Sequence, residues 1–145
     1  MRIVVQRVKR ASCDIDGKLI SQIGSGLLIF IGVEKGDKLQ DAKYLAHKCA
    51  NLRIFEDQQG KMNLSLKGIT RGKILAISQF TLCADCKKGL RPSFEPASPP
   101  DEAFIIYKYF IESLKEEGIV VKEGIFGEKM SISLINEGPV TFILS

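Results

Sequence analysis

The stretch GLLIFIGV, residues 26–33, is apolar along its whole length and decides how the rest of the fold is interpreted. A strand with one face in water alternates apolar and polar side chains, whereas this run has no polar face. It therefore predicts a central strand that is covered on both faces. The polar segment EKGD, residues 34–37, ends that strand.

The chain before this strand has the pattern of half-buried strands. Apolar and polar residues roughly alternate from Ile3 to Val8, which predicts a first strand with one face on a core. Further on, ASCDIDGKLISQI places Asp16 and Gly17 between two short alternating runs. This pair is a signal for a tight hairpin turn, so two antiparallel strands are expected here.

Two amphipathic helices are predicted after the central strand. From Lys38 to Asn51 the apolar residues recur at spacings of three and four, and Asp37 is placed to cap the first turn. The sequence PPD, residues 99–101, opens the second helix, and Gly118 ends it. The apolar face of the second helix is expected to consist of Ala103, Phe104, Tyr107, Phe110, Ile111 and Leu114.

The remaining strands are predicted from β-type composition between turn signals. They are expected in RIFED, MNLSL, KILAISQFTL, IVVKEGIF, SISLI and VTFIL. About eight or nine strands with only two helices leave too few helices for one between every strand pair. The sequence therefore predicts an α+β fold, a largely antiparallel sheet or barrel, with residues 1–145 in a single domain.

The composition limits the possible function classes. No apolar run approaches the roughly 18 residues that a membrane span needs, and the start MRIVVQRVKR lacks the apolar region of a secretory signal. A soluble, cytoplasmic protein without a membrane partner is expected. The net charge of +4 permits an anionic partner without requiring one.

Several common catalytic devices are missing from the sequence. His47 is the only histidine and lies in the first predicted helix, where a surface position is expected. There is no G-x-S-x-G, H-E-x-x-H, EF-hand or P-loop pattern, so neither a catalytic metal nor a cofactor is predicted. Cys83 and Cys86 form a C-x-x-C that suits half a zinc site or a redox pair. Because Cys13 and Cys49 are isolated, free and partly buried thiols are favoured over both.

The most unusual polar run is SQFT, residues 78–81, which follows the apolar KILAI. On a continuous strand Gln79 and Thr81 would share one face and Ser78 and Phe80 the other. A strand end can also leave amide N–H groups aimed at a ligand. The alternative is a strand end whose hydroxyl groups cap a turn.

Two further clusters attract attention. Gly138 and Pro139 precede the last predicted strand, and a Gly-Pro bond can be cis at modest cost. The alternative is that the pair is part of an ordinary loop with no role in a site. Lys87, Lys88 and Arg91 follow the SQFT run in a segment without periodicity. They are candidates for binding phosphates beside the SQFT run. The alternative is that they are solvated charges on a loop.

Several motifs resemble the D-aminoacyl-tRNA deacylases of the bacterial and eukaryotic type. These are SQFT at 78–81 and NEGPVT at 136–141, together with RVKRAS, GVEKGD, NLRIFED..GKMNLSL and RPSFEPA. The likeness covers essentially the whole chain, with the motifs in the order of the family. The family signatures, a Ser-Gln-Phe-Thr strand and a Gly-cis-Pro pair, are both unaltered. CADC at 83–86 departs from the Tyr and Thr that members often have there.

The resemblance implies an enzyme of translation quality control. It would be a homodimer that hydrolyses the ester between a D-amino acid and the 3'-terminal adenosine of tRNA, and that also clears mischarged glycine. Gly138 and Pro139 of one subunit would reach into the pocket of the other and reject L-amino acids. Arg7 matches the family arginine that braces this motif.

The resemblance also assigns roles within the pocket. Backbone N–H groups around Gln79 and Phe80 would face the ester carbonyl, and the ribose 2'-OH would assist the attacking water. Thr81 would be a pocket residue, although by chemistry it is the obvious nucleophile. Phe126 and Met130 match positions that line the adenine pocket, with core packing as the alternative.

Two other functions stay open. A non-catalytic tRNA-binding or nucleotide-binding module would keep the pocket and bind without ester loss. A small-molecule hydrolase with Thr81 or a cysteine as covalent nucleophile would lose activity on Thr81→Ala and form a trapped acyl-enzyme.

Overall fold

Eight strands and two α-helices form the computed structural model, which describes all residues 1–145. The strands are β1 Arg2–Ile15, β2 Lys18–Ile23, β3 Gly26–Gly32, β4 Phe55–Glu56, β5 Met62–Leu64, β6 Lys73–Ser78, β7 Val120–Glu123 and β8 Ser131–Leu144. The helices are α1 Leu39–Asn51 and α2 Pro100–Glu116, with short 3₁₀ helices at Leu66–Gly68 and Phe80–Cys83. The predicted α+β class and the strand and helix numbers are confirmed.

The main sheet has the order β2-β1-β3-β6-β7, and β8 pairs with the other side of β1. The pairs of β1 with β2, β3 and β8 are antiparallel, as is β4 with β5. However, β3, β6 and β7 run parallel. Parallel neighbours need a long crossover, which explains why α1 lies between β3 and β6 and α2 between β6 and β7.

Glycines occupy two points where the backbone leaves no room for a side chain or requires a positive φ. The predicted hairpin joins β1 to β2 through Asp16 and Gly17, with φ angles of 48° and 76°. At the start of β3, a Cβ on Gly26 would lie 1.9 Å from the carbonyl oxygen of Lys73. This close approach is possible only for glycine and lets β3 pair with β6.

The apolar strand β3 separates two hydrophobic clusters, as its sequence predicts. Leu27 and Ile29 belong to the larger cluster under α1 and α2, whereas Leu28 belongs to a smaller cluster enclosed by the curled sheet. All three side chains have no exposed surface. None of the helices is both long enough and apolar enough to cross a membrane.

Two predictions about the helices are wrong. Asp37 does not cap α1, because its carboxylate accepts hydrogen bonds from the Glu34 amide and the Met1 amino group. Instead, the amide of Lys38 donates to Asp41 Oδ2 at 2.8 Å. On α2, Phe104 is 45% exposed and Ile106 is buried in its place.

Two predictions about the strands also need correction. KILAISQFTL does not form one strand, because β6 ends at Ser78 and the 3₁₀ helix Phe80–Cys83 follows. Conversely, SISLI and VTFIL are parts of the single strand β8, so Gly138 and Pro139 lie within a strand and not before one.

Candidate active site

A cleft of about 750 Å³ opens where β3 and β6 end. The segment before α2 and the connection between β7 and β8 form its other walls. Five predicted site residues line the cleft, namely Ser78, Gln79, Phe80, Phe126 and Met130. Thr81, Gly138 and Pro139 are not among its lining residues, and neither are Arg7, Lys87, Lys88 and Arg91.

The polar turn at the end of β6 is shaped by hydrogen bonds to β3 and within itself. The Gln79 amide donates to the Ile31 carbonyl at 2.7 Å, and the Leu82 amide donates to the Gln79 carbonyl at 3.2 Å. The Gln79 amide is therefore occupied within the protein, and the prediction that N–H groups around Gln79 and Phe80 face the ester depends on the neighbouring amides. The amides of Phe80 and Thr81 open the 3₁₀ helix and have no acceptor within it.

The side chains of this turn do not alternate between two faces as on a strand. Phe80 is 58% exposed and Thr81 is also exposed, because the chain leaves the sheet after Ser78. Gln79 Nε2 donates to Thr81 Oγ1 at 2.5 Å. The Thr81 hydroxyl thus packs against the Gln79 side chain outside the cleft.

Phe126 lines the cleft and is supported by two further aromatic rings. Phe126 contacts Phe104 and Tyr107, with ring centroids 5.2 and 5.5 Å apart. It also packs against the larger core, and Met130 packs against the smaller one. Cleft lining and core packing, which the sequence offered as alternatives, are therefore both true of these two residues.

The segment after the turn carries the three predicted basic residues away from the cleft. Asp85 and Ser93 pair through two backbone hydrogen bonds of 2.8 and 2.9 Å. We call residues 85–93 the basic arm; it contains Lys87, Lys88 and Arg91, all exposed. Phe94, directly after it, packs edge-on against Phe80 with ring centroids 5.1 Å apart.

Gly138 and Pro139 lie in an irregular part of β8. The bond between them is cis, and both residues are exposed. β8 residues 137–140 stand opposite the single β1 residue Arg7. Since β8 pairs only with β1, the missing N–H of Pro139 faces an unpaired edge.

Arg7 holds this irregular segment from inside the protein. Its side chain is 7% exposed, Nε donates to the Glu137 carbonyl at 2.8 Å, and Nη1 donates to the Ile54 carbonyl at 2.6 Å. Glu56 lies 3.6 Å from Nη2. Arg7 therefore joins the segment before Gly138 to the chain that enters β4.

The cysteines are free thiols in different environments. Burial raises the pKa of Cys83 to about 11 and that of Cys49 to about 12. Burial also raises the pKa of Cys13, whereas Cys86 is exposed in the basic arm. No three His, Cys, Asp or Glu side chains are grouped to hold a metal ion.

His47 is exposed on α1, as predicted, with Nδ1 2.7 Å from Glu117 Oε1. It does not line the cleft. Lys35, Glu95, Ser98 and Lys129 also line the cleft, although no periodic pattern singled them out. They come from loops, and only the GVEKGD and RPSFEPA motifs pointed to part of this wall.

Comparisons with known proteins agree with this architecture. The family model described as D-Tyr-tRNA(Tyr) deacylase matches residues 4–145. A D-aminoacyl-tRNA deacylase of Thermodesulfovibrio yellowstonii is 56% identical over 145 residues, which are 100% of this chain and 99% of that protein. One of Geotalea uraniireducens is 53% identical over 144 residues, which are 99% of this chain and 92% of that protein.

Solved structures share the fold. One described as c-Myc DNA Unwinding Element Binding Protein has a TM-score of 0.93 and 38% identity, covering 100% of this chain and 98% of that one. A probable eukaryotic D-amino acid tRNA deacylase, at 16% identity and a TM-score of 0.82, covers 99% of this chain and 97% of that one and supports the fold alone. Because the family model spans nearly the whole chain and relatives more than half identical cover it from end to end, the chain belongs to the D-Tyr-tRNA(Tyr) deacylase family.

Proposed function

We propose that this protein hydrolyses the ester of D-aminoacyl-tRNA in the cytoplasm and releases a free D-amino acid and tRNA. The observation that carries the proposal is the Ser78–Thr81 turn, which opens onto a cleft with an aromatic wall. The family and its named relatives supply the substrate class.

The chemistry follows from the available donors. The oxygen of water attacks the ester carbonyl carbon, and negative charge develops on the carbonyl oxygen. The amides of Phe80 and Thr81 donate to that oxygen; each such donor is worth about 10² to 10³ in rate. The ester C–O bond then breaks, and the ribose 3'-oxygen leaves with a proton. The ribose 2'-OH, not a side chain, orients the water, since His47 is remote from the cleft.

The terminal adenosine occupies the aromatic end of the cleft. Its base packs against Phe126 and Met130, because aromatic rings and thioethers offer apolar surfaces to a base. Both residues are backed by the cores, which supports a wall of fixed shape. Ser78 and Gln79 form the polar floor beside the ester.

Chirality selection requires a second copy of the chain. Gly138 and Pro139 are exposed and lie outside their own subunit's cleft, which supports their insertion into the cleft of a partner. There they occupy the space that an L side chain needs, whereas D-amino acids and glycine fit. Arg7 is the positioning residue of this segment through its bond to the Glu137 carbonyl. Lys87, Lys88 and Arg91 contact tRNA phosphates.

The test is loss of the ester from matched D-tyrosyl-tRNA and L-tyrosyl-tRNA, with glycyl-tRNA alongside. We expect rapid loss of the D and glycyl esters only. Gly138→Ala should weaken the discrimination, because a Cβ there would lie 2.7 Å from the Val140 amide nitrogen. Gly24→Ala is the control, since nothing lies within 4 Å of its Cβ position. Persistence of both tyrosyl esters would exclude the deacylase.

A nucleic-acid-binding module is the second candidate. It is favoured by the similar structure whose description names a DNA-element-binding protein. It predicts binding of tRNA or adenosine without ester loss. A covalent hydrolase is less favoured, because the Thr81 hydroxyl accepts a hydrogen bond from Gln79 and burial raises the pKa of the Cys83 thiol.

A further inference from the structure

The basic arm is an ordered projection with a built geometry. Its base is closed by the two backbone hydrogen bonds between Asp85 and Ser93. The Lys87 amide donates to Asp85 Oδ1 at 2.9 Å, and Gly89 turns the chain at the tip with a φ of 69°. All residues from 86 to 92 are exposed. The arm therefore presents its side chains to something outside its own subunit or to solvent.

The charge of the arm is unbalanced. Residues 85–93 contain Lys87, Lys88 and Arg91 and a single acidic residue, Asp85, which gives +2 in a chain whose net charge is +4. The ion pairs of the structure involve other basic residues. The chemistry that complements such a cluster is a polyanion, and clustered Lys and Arg bind phosphates.

An apolar side chain stands within this charge. Leu90 is fully exposed, at 103% relative accessibility, between Lys88 and Arg91. A single exposed leucine needs no explanation by itself. Flanked by cations at a turn, however, it has the form of an apolar wedge that packs against bases while its neighbours bind phosphates.

The arm starts beside the catalytic turn. The Ala84 amide donates to the Thr81 carbonyl at 3.2 Å, and the Phe94–Phe80 contact holds the other end of the arm. A nucleic acid whose terminal adenosine fills the cleft continues from the cleft mouth. Phe94, which directly follows the arm, lines the cleft together with Phe80, so nucleotides that leave the cleft on this side are the polyanion nearest to the arm.

We infer that the basic arm docks the acceptor end of tRNA, an inference that rests on the proposed function. Lys87, Lys88 and Arg91 bind backbone phosphates beyond the terminal adenosine, and Leu90 packs against the bases there. The arm contributes to binding of the whole tRNA and not to the chemistry at the ester. Loss of the arm should therefore slow hydrolysis of the tRNA ester but not hydrolysis of the same ester on free adenosine.

The experiment compares two substrates, D-tyrosyl-tRNA and 3'-O-(D-tyrosyl)adenosine. The arm variant replaces Lys87, Lys88 and Arg91 with Ser. The control variant replaces Lys18, Lys43 and Lys61 with Ser; these lysines are also exposed and make no ion pair. Leu90→Ser is tested separately.

For the arm variant, kcat/KM on the tRNA ester should fall about 10- to 100-fold, and the slope of log kcat/KM against log salt should decrease by about 2 to 3. Hydrolysis of the adenosine ester should stay within about twofold, because the catalytic amides are untouched. Leu90→Ser should lower activity on the tRNA ester by about three- to tenfold with an unchanged salt slope, since stacking is lost without loss of charge. The control variant should lose less than the arm variant on tRNA.

Three results would overturn the inference. They are equal loss on both substrates, no difference between the arm and control variants on tRNA, and dissociation of the arm variant into monomers, which would assign the arm to a subunit interface. If the wild-type protein hydrolyses neither ester, the proposed function fails by itself. Binding of uncharged tRNA by the same variants then tests whether the arm binds tRNA. Equal affinities of the arm and control variants would contradict the inference.

Discussion

At the scale of single residues, Thr81 is the hydroxyl whose role is easiest to mistake. It lies in the turn whose backbone amides we propose as oxyanion donors, but its Oγ1 accepts a hydrogen bond from Gln79 Nε2, and Thr81 is not among the lining residues of the cleft. Thr81→Val should therefore keep deacylation within about tenfold of wild type, because the backbone donors remain. Single-turnover ester loss measures this, with the exposed Thr70→Val as control. A loss of more than about a thousandfold, with an acylated Thr81 peptide in wild type, would instead establish covalent catalysis.

The sequence was informative about which residues matter here and misleading about their orientation. A polar SQFT run after an apolar strand marks an unusual strand end, and three of its residues do line the cleft. The assumed two-residue alternation failed because the Gln79 amide bonds to Ile31 and the chain then turns into a 3₁₀ helix. That turn depends on the pairing of β6 with β3, which no local pattern specifies.

At the scale of elements, Arg7 connects β1, the entry to β4 and the irregular part of β8. Arg7→Met removes donors to two carbonyls, Glu137 and Ile54, while roughly keeping the side-chain volume. Hydrogen bonds to charged groups contribute about 1.5 to 3 kcal/mol each, so we expect the loss of two to lower the free energy of unfolding by about 3 to 6 kcal/mol. Urea denaturation measures it.

The same variant should also discriminate D from L esters less well, since Gly138 follows the carbonyl that Arg7 holds. Arg53→Met is the matched control, because Arg53 is exposed and should cost less than about 1 kcal/mol. If Arg7→Met has the stability and the D/L discrimination of wild type, Arg7 does not position the Gly138 segment.

Glu117 joins the ends of both helices to the 3₁₀ helix Leu66–Gly68. Hydrogen bonds from Lys67 and then His47 lower its pKa from 4.5 to about 2. A lowered pKa in the folded state stabilises the fold above pH 4.5, and this contribution is lost as the pH falls towards 2. Glu117→Gln should thus be less stable than wild type at pH 7, with the difference disappearing near pH 2.

Urea denaturation of both proteins between pH 7 and pH 2 tests this sign. Glu116→Gln is the control, because Glu116 is exposed and makes no ion pair. A stability difference between wild type and Glu117→Gln that is the same at pH 7 and pH 2 would contradict the linkage.

Element types were largely predictable because periodicity and turn signals are local. The Asp16-Gly17 hairpin and α1 are examples. The continuity of β8 was not predictable, because Gly138 and Pro139 read as a strand break. β8 continues past these two residues because it pairs with β1 on both sides of them and because Arg7 donates a hydrogen bond to the Glu137 carbonyl.

At the scale of the whole molecule, the cleft assembles residues far apart in sequence, from Ile31 to Ile132. Topology brings them together, since two parallel crossovers place the end of β6 beside the segment before α2. Ser98 and Lys129 could not be singled out, because each belongs to an irregular segment whose position depends on the complete sheet. The family resemblance pointed to the Ser78–Thr81 turn, three residues of which line the cleft, but the shape of the cleft could be seen only in the complete fold.

The proposed dimer can be tested at the end of β8. The end of β8 exposes two neighbouring apolar side chains, Phe142 at 38% and Ile143 at 75%. Neighbours on a strand point to opposite faces, so this end is uncovered on both faces, and its outer edge is unpaired as well. A two-fold copy would cover such an edge and bring Gly138 and Pro139 to the partner's cleft.

Ile143→Asp should therefore convert the proposed dimer to monomers in sedimentation velocity, because a buried unpaired carboxylate is costly at an interface. At concentrations where monomers predominate, the variant should hydrolyse L esters as well as D esters, because the partner's Gly138 and Pro139 no longer exclude an L side chain. Ile105→Asp is the matched control: Ile105 is 62% exposed, but it lies on α2, away from β8, and its variant should stay dimeric and active. If wild type sediments as a fully active monomer, or if Ile143→Asp remains a dimer, the chirality filter cannot come from a partner bound through β8. Monomeric Ile143→Asp that still hydrolyses only D esters would place the filter within one chain.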